Sequence, residues 1–267
     1  MSKIPLTLVL LSSTLAACAD KGATDTADTV TDSVDSDDGV DSDDSSDSDD
    51  SSDSASGDTV SAYVGMFDMS TGSFMPDTTV THDGESVATD ADGYASLELP
   101  QNTTLTLLGA APGYMNSALV LFTQDDLIRT YIQMLPTAMR DGLSAALGIP
   151  YDATKGIVSI EVYTRDEAGN PARLGGATVD LDVPYSIALS NDQRSPARVV
   201  PSNVTVTEEE SNAQILFINV AAGPANVSVT PPDPTATCVW YRGDTPVSDY
   251  TVEVTADTMT GLFAFCE

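Results

Sequence analysis

The sequence contains very little histidine and few basic residues, and both shortages exclude whole classes of site. A single histidine, His82, occurs among 267 residues, so a zinc site with two histidine ligands cannot form within one chain. Lys and Arg total 10 against 41 Asp and Glu, which gives a formal net charge of −31. Such a chain repels nucleic-acid phosphates and anionic lipid headgroups, so we expect no nucleic-acid partner.

Motifs for catalysis are correspondingly scarce. A metallopeptidase needs His ligands and a Glu base, which one histidine does not supply. A Ser-His-Asp triad would depend on His82, which the sequence places in a tight turn beside Asp83 and Gly84. Gly175 and Gly176 precede a strand and open no helix, so they do not form a phosphate loop. We expect no enzyme activity, no cofactor and no metal site, with a hydrolase that acts through acidic residues alone as a minor alternative.

The N-terminus has a short apolar run that is too short to span a membrane. A basic start at Lys3 is followed by the apolar residues 4–11 and then by small residues, which is the order of a secretory signal. The end of this segment, Leu-Ala-Ala-Cys at 15–18, resembles the bacterial lipobox. The resemblance implies that residues 1–17 are removed and that the thiol of Cys18 carries a diacylglycerol. The alternative is an ordinary signal with a coincidental cysteine.

Lipidation at Cys18 would attach the chain to a membrane. Each buried methylene contributes about 0.8 kcal/mol, so two or three acyl chains give stable anchoring. Ala19, and not an aspartate, follows the cysteine. By resemblance to proteobacterial sorting, this favours the outer membrane of a bacterial cell envelope, with the protein in the periplasm or exposed at the surface.

Residues 18–58 predict a disordered linker. Fifteen Asp and one Lys lie within 19–58, and the stretch 32–58 has almost no apolar residues. Such a segment cannot bury enough apolar surface to fold, and its like charges keep it extended. A calcium loop in the register of Gly39 would place Val34 at the first ligand position, which excludes a discrete EF-hand loop. Weak, diffuse Ca²⁺ binding to the linker stays as an alternative.

From residue 59 onward, short alternating runs separated by turn residues predict an all-β fold. A Thr-Asp-x-Asp-Gly-Tyr turn, an alternating strand, a Pro-led turn, a second strand and Ala-Pro-Gly-Tyr follow one another in residues 89–114. This order resembles the carboxypeptidase regulatory-like domain, a transthyretin-like β-sandwich, over residues 59–135. Asn102 and Thr104 depart from the Gly and the aromatic residue of that family, but Asn tolerates the left-handed backbone that the turn requires.

A helical connector and a second sandwich complete the predicted architecture. In residues 136–153, Met139, Leu143, Ala146 and Leu147 have helical spacing, with Thr137 as a cap and Gly148 as the stop. We expect this helix to pack between the two sandwiches, an interfacial membrane helix being the alternative. Residues 154–267 predict the second antiparallel, Ig- or transthyretin-like sandwich, with a long polar connection at 184–212.

Two features of the second sandwich bear on its chemistry. Cys238 and Cys266 both lie on predicted strands, and in an exported protein they most simply form a disulfide. Trp240, Tyr241 and Tyr250 are close in sequence and could form a flat aromatic platform for a sugar. The alternative is that Trp240 belongs to the core.

Together these features predict a non-catalytic, lipid-anchored envelope protein that presents β-sandwich modules for structural or adhesive contacts with a protein or glycan ligand. The alternative function is a carbohydrate-binding lipoprotein that captures substrate for a separate enzyme.

Overall fold

The computed structural model describes residues 58–124, 127–191, 198–200, 213–241 and 246–267. The predicted signal, Cys18 and nearly all of the acidic linker lie outside the described residues, so the expectations about them stay predictions. The described residues all belong to one compact unit.

The first module is a β-sandwich that follows the alternation of its sequence. Along its first strand Val60, Ala62 and Val64 are buried while Ser61 and Tyr63 face outward, as predicted. The described strands are β1 (Thr59–Asp68), β2 (Ser73–Phe74), β3 (Thr79–His82), β4 (Glu85–Ala88), β5 (Tyr94–Pro100), β6 (Thr104–Ala110), β7 (Asn116–Phe122) and β8 (Ile128–Met134).

Two layers enclose the core of this module. Strand β1 pairs in antiparallel fashion with β2 and β5, and in parallel with β8. The facing layer has the order β4-β3-β6-β7. The Pro-led turn between β5 and β6 is formed as predicted, because Asn102 adopts the left-handed conformation with φ of 51°.

The predicted helix α1 (Thr137–Leu147) follows β8. Gly148 ends it in the left-handed conformation, with its N–H donating to the carbonyl of Ala145, as predicted. The predicted cap at Thr137 is wrong: Pro136 occupies the N-cap position, and the Thr137 hydroxyl donates to the carbonyl of Gly113. The helix lies against an apolar cluster to which both modules contribute, through half-buried residues that include Met139 and Leu147.

The second module is also a sandwich, in which the sheet β11-β15-β17 covers one face of a larger sheet. Part of the predicted polar connection 184–212 is strand, because Ala188 and Leu189 are apolar and bury their side chains. The described strands are β9 (Lys155–Arg165), β10 (Pro171–Arg173), β11 (Thr178–Leu181), β12 (Ile187–Asn191), β13 (Arg198–Val200), β14 (Gln214–Ala221), β15 (Gly223–Thr230), β16 (Cys238–Trp240), β17 (Thr251–Val254) and β18 (Thr258–Cys266).

The two sandwiches share a sheet. Strand β7 of the first module pairs in parallel with β18, the last strand of the second, and β18 pairs in parallel with β9. The result is one sheet of eleven described strands that runs through both modules. Leu119 and Leu121 of β7 lie in the first core, while Val120 and Phe122 lie in the second. A strand with both faces buried is therefore common to both cores.

Candidate functional site

The outward face of the first module's smaller sheet is aromatic. Because side chains alternate along a strand, Tyr63 of β1 faces outward between buried neighbours. Cross-strand pairing places Gly65 between Tyr94 of β5 and Tyr131 of β8. The rings of Tyr94 and Tyr131 therefore flank Gly65, which has no side chain.

Gly65 leaves the space that two of these rings occupy. The centroids of Phe74 and Tyr94 are 4.6 Å apart. A Cβ atom on Gly65 would lie 2.5 Å from Cε1 of Phe74 and 3.0 Å from Cε1 of Tyr94. Both rings therefore pack directly over the backbone of β1, which fixes their positions.

These rings continue into the second module as a row of eight that we call the aromatic strip. Neighbouring centroids along it are 4.6 to 6.5 Å apart, the spacing of contacting aromatic pairs. The step between modules is from Tyr131 to Phe263, 5.2 Å. The strip consists of Phe67, Phe74, Tyr94, Tyr131, Tyr163, Tyr241, Phe263 and Phe265.

Two depressions lie along the aromatic strip and meet at Tyr131. The first-module groove encloses about 540 Å³ and is lined by Tyr63, Phe74, Asp90, Asp92, Tyr94, Arg129, Thr130 and Tyr131. The junction cleft encloses about 140 Å³ and is lined by Arg129, Thr130, Tyr131, Tyr163, Pro171, Tyr241 and Phe263.

Charged groups of opposite sign line the first-module groove without pairing. Asp90 closes its turn by accepting hydrogen bonds at Oδ1 from the N–H groups of Asp92 at 2.9 Å and Tyr94 at 3.0 Å. The guanidinium carbon of Arg129 lies 6.0 Å from the ring centroid of Tyr63. Within the described part of the chain, Arg129 forms no ion pair with either aspartate.

Beneath the junction cleft lies a buried carboxylate, Glu161, which is 2% exposed. Its oxygens accept hydrogen bonds from the hydroxyl of Tyr131 at 3.0 and 3.1 Å, from the hydroxyl of Tyr163 at 2.5 Å, and from the amide of Gln133. Burial raises the pKa of Glu161, although the Arg173 guanidinium at 4.0 Å and the two hydroxyls act in the opposite direction. Both oxygens are thus engaged in holding the rings above them.

The same network connects the modules. Oε1 of Gln133, on β8, accepts hydrogen bonds from Ser159 Oγ on β9 at 2.9 Å and from Gln214 Nε2 on β14 at 2.8 Å. Gln214 Nε2 also donates to Ser159 Oγ, at 2.8 Å. Because all of these side chains are buried, breaking the contact between modules would leave several polar groups without partners.

The aromatic platform expected at Trp240 does not exist in that form. Trp240 is fully buried in the second core, where it stacks on Phe122 with centroids 6.1 Å apart and Tyr250 meets its edge. Tyr241 follows the last residue of β16, and its ring joins the aromatic strip through Phe263 and Phe265. Among the three residues, Tyr241 alone lies at the strip.

The predicted disulfide between Cys238 and Cys266 is present and links β16 to β18. Three residues after Cys238, the N–H of Tyr241 donates to the carbonyl of Phe263 at 2.8 Å, which continues the pairing of β16 with β18. Cys18, the predicted lipidation site, lies outside the described residues.

His82 ends β3 beside the predicted turn at Asp83 and Gly84. Its Nε2 lies 3.4 Å from the carboxylate of Asp83. Among the described residues, no group of three or more His, Cys, Asp or Glu is arranged to hold a metal ion. No helix in that same part of the chain combines the length and the apolar character needed to cross a bilayer.

No protein-family model and no curated protein matches the chain, so the resemblance to the carboxypeptidase regulatory-like domain stays a prediction. Solved structures similar to this chain include the Bacillus anthracis TIE protein, with 10% sequence identity and a TM-score of 0.24. The match covers 78% of this chain and 34% of the TIE protein. The chain therefore spans about a third of the length of the TIE protein.

Two pilins are similar at the same level. The shaft pilin SpaA of Lactobacillus rhamnosus GG matches at 10% identity and a TM-score of 0.23, covering 79% of this chain and 98% of that one. GBS52, a minor pilin of Streptococcus agalactiae, matches at 9% identity and a TM-score of 0.24, covering 78% and 95%. Likenesses this distant do not transfer a function, and the sandwich architecture rests on the strands of this chain itself.

Proposed function

We propose that this chain is a non-catalytic, lipid-anchored protein of the bacterial cell envelope, and that its fused β-sandwiches make adhesive or structural contacts through the aromatic strip. The observation that carries the proposal is the strip itself, a row of eight rings across the junction between modules. Six of these rings are half-buried, while Phe263 and Phe265 are buried, so the half-buried rings supply the contact surface. Aromatic rings contribute large contact areas at low cost in conformational entropy.

A rigid support under the strip favours a contact function. Strand β7 serves both cores, and the buried network around Glu161 and Gln133 connects the modules from beneath. Contact residues held on fixed strands lose little entropy when a partner binds.

Two observations support a location outside the cytoplasm. The sequence ends its apolar leader with the lipobox-like residues 15–18. The disulfide between Cys238 and Cys266 belongs to an oxidising compartment. The outer membrane is the membrane that Ala19 favours under the proteobacterial sorting rule.

Expression of the full-length chain in a diderm bacterium tests the proposal. We expect intact-mass spectrometry to find a mature protein that begins at Cys18, carries two or three acyl chains and lacks two hydrogens at the disulfide. A Cys18→Ser variant should leave the membrane fraction. Recovery of an unacylated protein with reduced thiols from the cytoplasm would contradict the proposal.

A second candidate is a lipoprotein that captures glycan for a separate enzyme. It is favoured by Tyr63, which is 43% exposed and whose ring centroid lies 6.0 Å from the guanidinium carbon of Arg129. This candidate requires that the anchored protein accelerates a secreted hydrolase on an insoluble glycan. The leading proposal requires no such acceleration.

A further inference from the structure

We infer that the first-module groove is a binding site for a neutral saccharide, with Tyr63 as the ring on which a sugar stacks. The inference rests on the proposed function, since it names the ligand class of a contact protein. It concerns residues that are separate from Trp240, Tyr241 and Tyr250, the platform expected from the sequence.

The exposed ring of Tyr63 is the first argument. A tyrosine at 43% exposure on a central strand presents an apolar face to water. Sugars carry C–H groups on one face of each ring, and that face packs on aromatic rings. Phe74 and Tyr94 extend the apolar floor of the groove toward its far end.

The unpaired charges are the second argument. Asp90, Asp92 and Arg129 line one groove, yet neither carboxylate forms an ion pair with the guanidinium among the described residues. Carboxylates accept and guanidinium groups donate hydrogen bonds, so together they match hydroxyl groups, which do both. The two aspartates and one arginine give the groove a net negative charge, which opposes an anionic ligand. A neutral polyhydroxylated ligand can use the donor and the acceptors together without such repulsion.

Size and preorganisation are the third argument. The groove of about 540 Å³ lies within the usual range of ligand sites, about 300 to 1,000 Å³. Part of its wall is fixed before binding, because Phe74 and Tyr94 pack over Gly65 and the Asp90 carboxylate closes its own turn. Ordering of these three side chains therefore does not oppose binding.

The test uses the full-length acylated protein in detergent micelles on an array of neutral, anionic and cationic glycans. We expect neutral glycans to bind, with an affinity that varies little with salt because the ligand has no charge to screen. Calorimetry with the strongest neutral glycan then compares three variants. Tyr63→Ala should weaken binding at least tenfold and Arg129→Gln at least fivefold. Leu108→Ala removes a side chain that is 49% exposed outside the groove, and should change affinity less than twofold.

Three results would overturn the inference: no neutral glycan bound, binding of charged glycans alone, or unchanged affinity in both groove variants. Arg129 is exposed, so Arg129→Gln keeps the test decisive if Tyr63→Ala fails to fold. Intact mass of the same preparation reports acylation and the disulfide. An acylated, oxidised protein that binds no neutral glycan therefore refutes the ligand class and leaves the proposed envelope function standing.

Discussion

Leu119 and Val120 are consecutive residues of β7, and their side chains lie in two different hydrophobic cores. Both are almost fully buried, with 1% and 7% exposure. The strand that completes the first sandwich is therefore also a wall of the second. This relationship makes the described residues one mechanical unit, on which the aromatic strip is held.

The shared strand predicts that the two sandwiches unfold together. Leu99→Ala removes a fully buried side chain from β5, in the first core, and should lower the free energy of unfolding by about 2 to 5 kcal/mol. Trp240, the one tryptophan of the sequence, lies in the second core. We expect Trp240 fluorescence, followed during denaturant unfolding, to show the full decrease in the free energy of unfolding that Leu99→Ala causes. If the Trp240 transition of Leu99→Ala stayed at the wild-type denaturant midpoint, the two modules would unfold independently. The control is Leu108→Ala, which removes an exposed side chain of the first module.

Two glycine substitutions should have opposite effects on stability. Gly65→Ala places a methyl group 2.5 Å from Cε1 of Phe74, so the ring must move, at a cost of about 1 to 3 kcal/mol. Gly142→Ala lies within α1 with no atom near the added Cβ, and should stabilise by about 0.5 to 1 kcal/mol. Thermal unfolding measures both, and near-ultraviolet circular dichroism should change for Gly65→Ala alone. Equal stability of the two variants would refute the packing of Phe74 over Gly65.

Asp68 should make stability depend on pH in the acid range. Burial raises the pKa of Asp68, but four hydrogen bonds, from Ser70 N and Oγ at 2.7 Å each, Thr71 Oγ1 at 2.9 Å and Tyr114 Oη at 3.0 Å, lower it below its ordinary 3.8. A lowered folded-state pKa contributes stability above the unfolded-state pKa, which is lost as pH falls through the folded-state pKa. Asp68→Asn should therefore cost about 1.5 to 3 kcal/mol at pH 7, and this gap should narrow below about pH 4.

The control for Asp68 is Glu253→Gln, a charge removal at an exposed position of β17. Glu253→Gln should change the free energy of unfolding by less than about 0.5 kcal/mol at both pH 7 and pH 3. A gap for Asp68→Asn that stays constant from pH 7 to pH 3 would contradict the assignment of its effect to the carboxylate.

The disulfide should contribute through the unfolded chain. Cys238 and Cys266 are separated by 28 residues, and closing a loop of this length stabilises by about 3 to 4 kcal/mol in the chain-entropy model. In denaturant unfolding, we expect the double variant Cys238→Ala, Cys266→Ala to have a free energy of unfolding lower by about that amount. Added reductant should not change the stability of this variant. Wild-type protein in reductant should match the double variant, and a wild-type midpoint that reductant leaves unchanged would refute the contribution.

The sequence by itself determined the local structure of this protein. The alternation in β1, the left-handed residues Asn102 and Gly148, and the pairing of Cys238 with Cys266 all follow from residue type and spacing. The first two depend on neighbours in the chain, and the disulfide follows once Cys18 is assigned to lipidation in an exported protein, so all three can be predicted without a fold.

Tertiary structure alone decided which strands are adjacent and which rings meet. Period-two alternation shows that Trp240 and Tyr241 face opposite sides, but it does not say which side is core. Strands β7 and β18 pair in parallel although they come from distant parts of the chain. No hairpin turn joins them, so the sequence carries no local signal that predicts this pairing. The shared sheet, the burial of Trp240 and the aromatic strip all depend on that pairing.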